Sequence, residues 1–227
     1  MTDLAIIVEG QTEEAFVKRV LSPALWGHGV SAWAILPGRG ANRRGGRWPW
    51  VSIRRDVENL LKARSDRYCA ILFDYYGLPP DWPGRIAASE QPIESRARAV
   101  EQSLAADLSR DVGDTINHAR FLPHIQLHEF EAKLFSECRV LASTLGLPAR
   151  SLEEIVEKCG TPEFIDDGAE TAPSKRLESL CRLTSGHGYQ KIASGVTAAE
   201  RIGVKTMREK CPHFDRWLGQ IELLGKA

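Results

Sequence analysis

The chain has 227 residues, 43% of them hydrophobic and 26% charged, with thirty Lys+Arg set against thirty Asp+Glu. That length suits one well-packed domain with at most a small appendage, and the composition excludes long disorder. A net charge of zero removes any general attraction to polyanions, so a nucleic-acid partner has to be argued from a local patch.

The opening MTDLAIIVEG lacks the basic stretch and long apolar core of a signal peptide. No run reaches the ~18 apolar residues that a membrane span needs, so a cytoplasmic location without membrane contact is expected. Five cysteines, Cys69, Cys138, Cys159, Cys181 and Cys211, form an odd set with no Cys-x-x-Cys pair, which predicts reduced, mostly buried thiols.

In chain order, LAIIV (4–8) is short, apolar and rich in β-branched residues, and predicts a buried strand. Thr12 is the expected N-cap of a helix running to about Ser22, before Pro23, with Glu13 and Glu14 in its positively charged first turn. VSAWAIL (30–36) is a second strand, 51–65 a helix with Val51, Val57, Leu60 and Leu61 inward, and YCAILF (68–73) a third strand. A helix over 93–111 and a strand over 120–127 follow. Strands alternating with helices predict parallel crossover units, an α/β sheet flanked by helices over residues 1–135. Residues 136–227 are expected to be a helical part packed on that core, with helices at 129–145, 152–159, 173–184, 198–210 and 213–224. The stretch 160–174, rich in acids, Gly and Pro, is the expected mobile loop.

Open parallel sheets place their sites at the carboxyl ends of the strands. Those ends carry Glu9, then PGRGANRRGGRW, then Asp74, then HEFE (128–131). Glu13 and Glu14 are accounted for by the helix start, whereas Glu9 lies before it. Two carboxylates converging at one edge repel each other unless a cation lies between them, and Mg²⁺, with Mn²⁺ as the substitute, suits such oxygen ligands. Glu129 and Glu131 would share a face if extended; in a helix they diverge and Glu129 faces Lys133. One of the two is then the expected additional ligand.

The segment 38–50 holds Arg39, Arg43, Arg44 and Arg47 without an acid, together with Trp48 and Trp50. Arginine forks suit phosphate, glycines admit a close backbone, and a tryptophan can stack on a base, so this loop is the expected nucleic-acid contact. Arg54 and Arg55 would extend it. Lys175, in the first turn of a helix where like charge is unfavourable, is a candidate for holding a phosphate or a site acid, as is Lys191. His124 and His128, and Cys211 with His213, fit packing roles better than a zinc site, since no third ligand appears at zinc spacing.

VEGQTEE, ILFDYYG, PHIQLHEFEAKLF, PSKRL and CPHFDRWL, in that order over nearly the whole chain, resemble a TOPRIM-like family of bacterial proteins of largely unassigned function. Some members are encoded beside ABC- or AAA-type ATPases in phage-defence loci, including AriB-type effector subunits of PARIS anti-phage systems. The resemblance implies a TOPRIM-like fold and a divalent-metal site for phosphodiester chemistry at Glu9 and Asp74, with tRNA as one substrate class. It also implies an ATPase partner. Where the family pattern has Asp-x-Asp, this chain has Tyr76 in place of the second acid. Two expectations follow. One is a Mg²⁺-dependent nuclease in antiviral defence, with Glu9, Asp74, Glu129 and Lys175 catalytic and Glu131 completing the metal shell; the other is a non-catalytic subunit docking on an ATPase. A homodimer is compatible with both.

Overall fold

A computed structural model describes residues 1–38, 45–110, 117–165, 168 and 170–226. The chain divides into two compact units: 1–127 with 217–227, and 128–216. The expected boundary at 135 thus falls at 127, and the last residues count with the first unit.

Unit 1 is a four-stranded parallel sheet flanked by helices. β1 (Thr2–Val8), β2 (Val30–Ile35), β3 (Tyr68–Asp74) and β4 (Phe121–Gln126) stand in the order β2-β1-β3-β4. Leu4 to Val8 are consecutively buried, which requires cover on both faces and explains why β1 shows no polar alternation. Val8 pairs with Leu72, so the carboxyl ends of β1 and β3 finish side by side.

The first helix departs from expectation at both ends. α1 (Gln11–Phe16) is capped by Gly10 in extended conformation, not by Thr12, which lies inside it. Beyond α1 the helix does not stop before Pro23 but passes through a π segment, Val17–Leu21, into α2 (Ser22–Trp26). Pro23 has no N–H to give, and the wider hydrogen-bond spacing of the preceding π turn absorbs that loss without ending the helix. Ser22 Oγ donates to Ala32 O on the edge strand β2 at 2.7 Å.

α3 (Trp50–Ala63) buries Trp50, Ile53, Val57 and Leu61, a stripe spaced by three and four, while Val51 is exposed, contrary to its expected inward position. Val57 and Leu61 are inward as expected, Leu60 is half-buried, and Trp50 and Ile53 complete the stripe. Arg120 is buried and donates its guanidinium to the carbonyls of Leu61 and Arg64 at the end of α3. A short helix, α4 (Arg85–Ala88), precedes α5 (Ile93–Leu108), which buries Ala97, Val100, Leu104 and Leu108. Trp217 lies in this unit: its indole donates to Leu122 O at 3.0 Å, and its ring stacks on buried His124 at 4.8 Å.

Unit 2 is helical. It opens on a 3-10 helix, Phe130–Glu137, where an α-helix over 129–145 was expected; α6 begins only at Cys138 (Cys138–Leu145). α7 (Ala149–Cys159), α8 (Pro173–Ser185) and α9 (Val196–Lys210) follow. Gly203 interrupts α9 at φ 79°, a left-handed conformation that glycine tolerates. α10 (Pro212–Leu224) starts in this unit. Its first turn is held by Glu163, 3% exposed, whose carboxylate accepts from His213 N at 2.9 Å and Phe214 N at 3.0 Å. CPHF is therefore a helix entry. The described part of 160–174 is not a plain loop: Pro162–Phe164 forms a 3-10 turn, and Ile165 is buried.

All five cysteines are free thiols, four of them buried and Cys159 partly exposed. Burial pushes Cys138 up to about 11 and Cys211 up to about 12. No helix among the described residues is long and apolar enough to cross a membrane.

Candidate functional site

In a doubly wound sheet the ligand crevice opens where the strand order reverses. Here the chain runs from β1 out to β2 and returns on the other side of β1 as β3, so that point lies between the carboxyl ends of β1 and β3. Glu9 follows β1 and Asp74 ends β3.

Glu9 extends the ladder, its N–H donating to Leu72 O at 3.2 Å. Its carboxylate turns toward β3, where Oε2 accepts from the Asp74 N–H at 2.8 Å. Oε1 lies over Gly77, in the 3-10 turn Tyr75–Gly77; a Cβ added there would stand 2.4 Å from it. Gly77 is thus a cradle for the acid rather than a flexible joint.

Glu13, read from the sequence as a helix-start charge, is 8% exposed, and its Oε2 would stand 3.2 Å from a Cβ on Gly10, beside Glu9. It shares the inward face of the helix with Phe16, three residues on. That i,i+3 relation to a core aromatic was the available signal for its orientation. Glu9 and Asp74 thus meet at the switch point through the Asp74 N–H, and the Glu13 carboxylate lies against Gly10. Carboxylate oxygens are the donors that Mg²⁺ or Mn²⁺ takes, so Glu9 and Asp74 are the residues that could hold one.

The arginine loop reaches this edge. Gly46 N donates to Glu9 O at 3.0 Å, and a Cβ on Gly45 would stand 2.8 Å from Gly10 Cα. Arg47, exposed, donates Nη2 to Tyr76 O at 3.2 Å. Trp48, partly exposed, accepts at its carbonyl from Trp82 Nε1 at 2.9 Å. Arg39, Arg43 and Arg44 lie outside the described residues. Trp50 is buried against Trp82, ring centroids 5.2 Å apart, and is no base-stacking platform. Arg54 is held by Glu58 at 3.0 Å and Asp107 at 3.7 Å, which spends its charge within the protein and removes it from the expected patch.

In unit 2, the remaining expected acids converge on a lysine. Lys191 Nζ is 3.4 Å from Glu131 Oε1 and 3.9 Å from Glu129 Oε1. Glu129, extended ahead of the 3-10 helix, also caps α8: its Oε2 accepts from Ser174 N at 2.8 Å and its Oε1 from Ser174 Oγ at 3.0 Å. Glu131 is 2% exposed. Burial, then the Glu131 carboxylate, pushes the Tyr189 phenol well above its usual range, and Gly195 leaves the room its hydroxyl occupies. Lys175 is exposed on α8, so Lys191 is the lysine that meets these carboxylates. His128 is fully buried.

One family model, described as a domain of unknown function (DUF4276), matches residues 8–222. No curated protein matches. Among solved structures, the C-terminal region of the OLD protein of Xanthomonas campestris pv. campestris is similar at 16% identity, covering 98% of this chain and 95% of that one, with a TM-score of 0.42. A likeness at that level carries no argument about the site.

Proposed function

The chain belongs to the DUF4276 family, whose description assigns no function, and we propose that it is a divalent-metal-dependent phosphodiester hydrolase acting on nucleic acid. The observation that carries this reading is the Glu9 carboxylate oriented by the Asp74 N–H at the switch point of the sheet, with Glu13 beside it. Mg²⁺ or Mn²⁺, when bound, supplies polarisation of a phosphoryl oxygen and a more acidic water. The protein's part is to orient the Glu9 carboxylate beside Asp74 and Glu13. The Asp74 N–H fixes one Glu9 oxygen, Gly77 gives the other its space, and the N-terminal end of α1 favours the negative charge of Glu13. A phosphate group enters on the side where Arg47 is anchored. The sequence resemblance supports placing this activity in phage defence under the control of an ATPase partner, with RNA, including tRNA, among the substrates.

Tyr76, standing where the family pattern has a second aspartate, favours a second reading as a non-catalytic regulatory subunit. One experiment separates the two: calorimetric titration with Mg²⁺ and Mn²⁺, beside cleavage assays on tRNA and single-stranded DNA, for the native chain and Glu9→Gln. The hydrolase reading expects metal binding and cleavage that Glu9→Gln abolishes. Full metal-dependent cleavage by Glu9→Gln sinks it, and absence of metal binding at millimolar concentration leaves the docking subunit.

A further inference from the structure

Arg47 sits beside a concentration of negative charge and does not pair with it. Among the described residues its guanidinium makes one hydrogen bond, to the carbonyl of Tyr76. The next residue along, Gly77, is the one over which the Glu9 carboxylate rests. A guanidinium presents five N–H donors in a planar fork. One N–H is used on a neutral acceptor, and the exposed remainder of the fork is left at the rim of the acid cluster.

The arm carrying that fork is positioned by main chain, not by charge. Gly46 N–H is tied to Glu9 O, and Gly45 lies so close to Gly10 Cα and Glu9 O that a Cβ would stand 2.8 and 2.9 Å from them. Both neighbours are backbone atoms, which cannot swing aside as the end of a side chain can. The arginine and the first metal-ligand candidate are therefore held to one another through the Glu9 carbonyl. An arginine kept off nearby carboxylates by a carbonyl anchor stays available to an anion arriving from outside.

We propose that Arg47, with Gly45 and Gly46 as positioning residues, forms a phosphate subsite of this site, taking the non-bridging oxygens of a phosphodiester in a nucleic-acid strand. The main-chain carbonyl of residue 76, rather than its side chain, is the part of that position the subsite uses. The inference rests on the hydrolase reading only for the identity of the neighbouring acids.

The test is the affinity of a fluorescein-labelled single-stranded oligonucleotide in EDTA, measured by anisotropy across a salt series, with inorganic phosphate as competitor. Arg47→Met is expected to weaken binding about tenfold and to reduce the slope of log affinity against log salt by about 0.7, the share of one phosphate contact on a single strand. Arg47→Lys recovers part of the affinity, since charge survives but the fork does not. Gly45→Ala, which changes no charge, is expected to move affinity in the same direction as Arg47→Met. Inorganic phosphate competes with the native chain and not with Arg47→Met. Native-like oligonucleotide affinity and salt slope in Arg47→Met overturn the subsite, even where phosphate competition is lost. If Glu9→Gln keeps full cleavage while Arg47→Met still loses affinity, the hydrolase reading falls and the subsite stands.

Discussion

Unit 1 and unit 2 each bring glutamates near a basic residue, and they hold those glutamates with different groups. In unit 2, Lys191 lies directly against Glu129 and Glu131, and Ser174 takes both oxygens of Glu129. Those acids are balanced from within: one closes the start of α8, and an ammonium offsets the charge of both. In unit 1, the acids are oriented by an amide N–H and a glycine cradle, and the basic residue rests on a carbonyl. In unit 2 a lysine and a helix start meet the acids, whereas in unit 1 a backbone N–H and the open space over a glycine orient Glu9.

The sharpest way to break this comparison is Gly77→Ala. The three atoms nearest the new methyl all belong to the end of the Glu9 side chain. The fold should lose less than about 1 kcal/mol, while Mg²⁺ affinity falls by about two orders of magnitude, as a displacement of an ångström at a site commonly costs. Calorimetry with Mg²⁺ beside a urea melt measures both, and unchanged metal affinity would show that the orientation of Glu9 does not matter. Next in size is Glu129→Ala, which strips the cap from α8 and leaves the buried Ser174 N–H unsatisfied. It should cost about 1–2 kcal/mol in urea denaturation, with no effect on metal binding; the opposite pattern would move Glu129 from the structural class to the functional one.

A smaller effect tests the same logic by pH. The Tyr189 N–H and then Arg182 hold the Glu178 carboxyl below its usual range. A carboxyl depressed on folding stabilises the folded chain above its unfolded value, and that stability is lost as pH falls through the folded one. Glu178→Gln should therefore lower the melting temperature at neutral pH, and the difference from the native chain should close in acid below the ordinary carboxylate range. Smallest is thiol labelling at pH 8. Cys138 and Cys211, pushed to about 11 and about 12, should stay silent while partly exposed Cys159 reacts. Equal rates for all three would mean that unit 2 opens readily.

β1, β2 and β3 were legible because each is a short, largely apolar run followed closely by Pro or ended by an acid, and Glu9 and Asp74 stand at strand ends without a spacer. Helix phase was less legible. Val57 and Leu61 were placed inward correctly, but a helical phase set by them takes Trp50 and Ile53 into the core and leaves Val51 exposed. Glu13 stands in the first turn of α1 as expected, but the ready explanation in the helix dipole hid its burial on the Phe16 face. Lys191 could not be ranked above Lys175 from sequence, since sixty residues separate it from Glu131 and only tertiary structure joins them. The π segment was beyond reach as well: Pro23 signals an interruption, but whether a helix stops or widens depends on the packing around it.

That widened helix also bears on how the protein behaves at high concentration. An edge strand offers main-chain groups to any passing chain and is a common starting point for aggregation. The helix running through the π segment brings Ser22 to the outer side of β2, where its hydroxyl occupies the carbonyl of Ala32. A single side chain thus denies the sheet a fifth strand at that point, and Ser22→Ala would return the carbonyl to solvent and raise the tendency to self-associate.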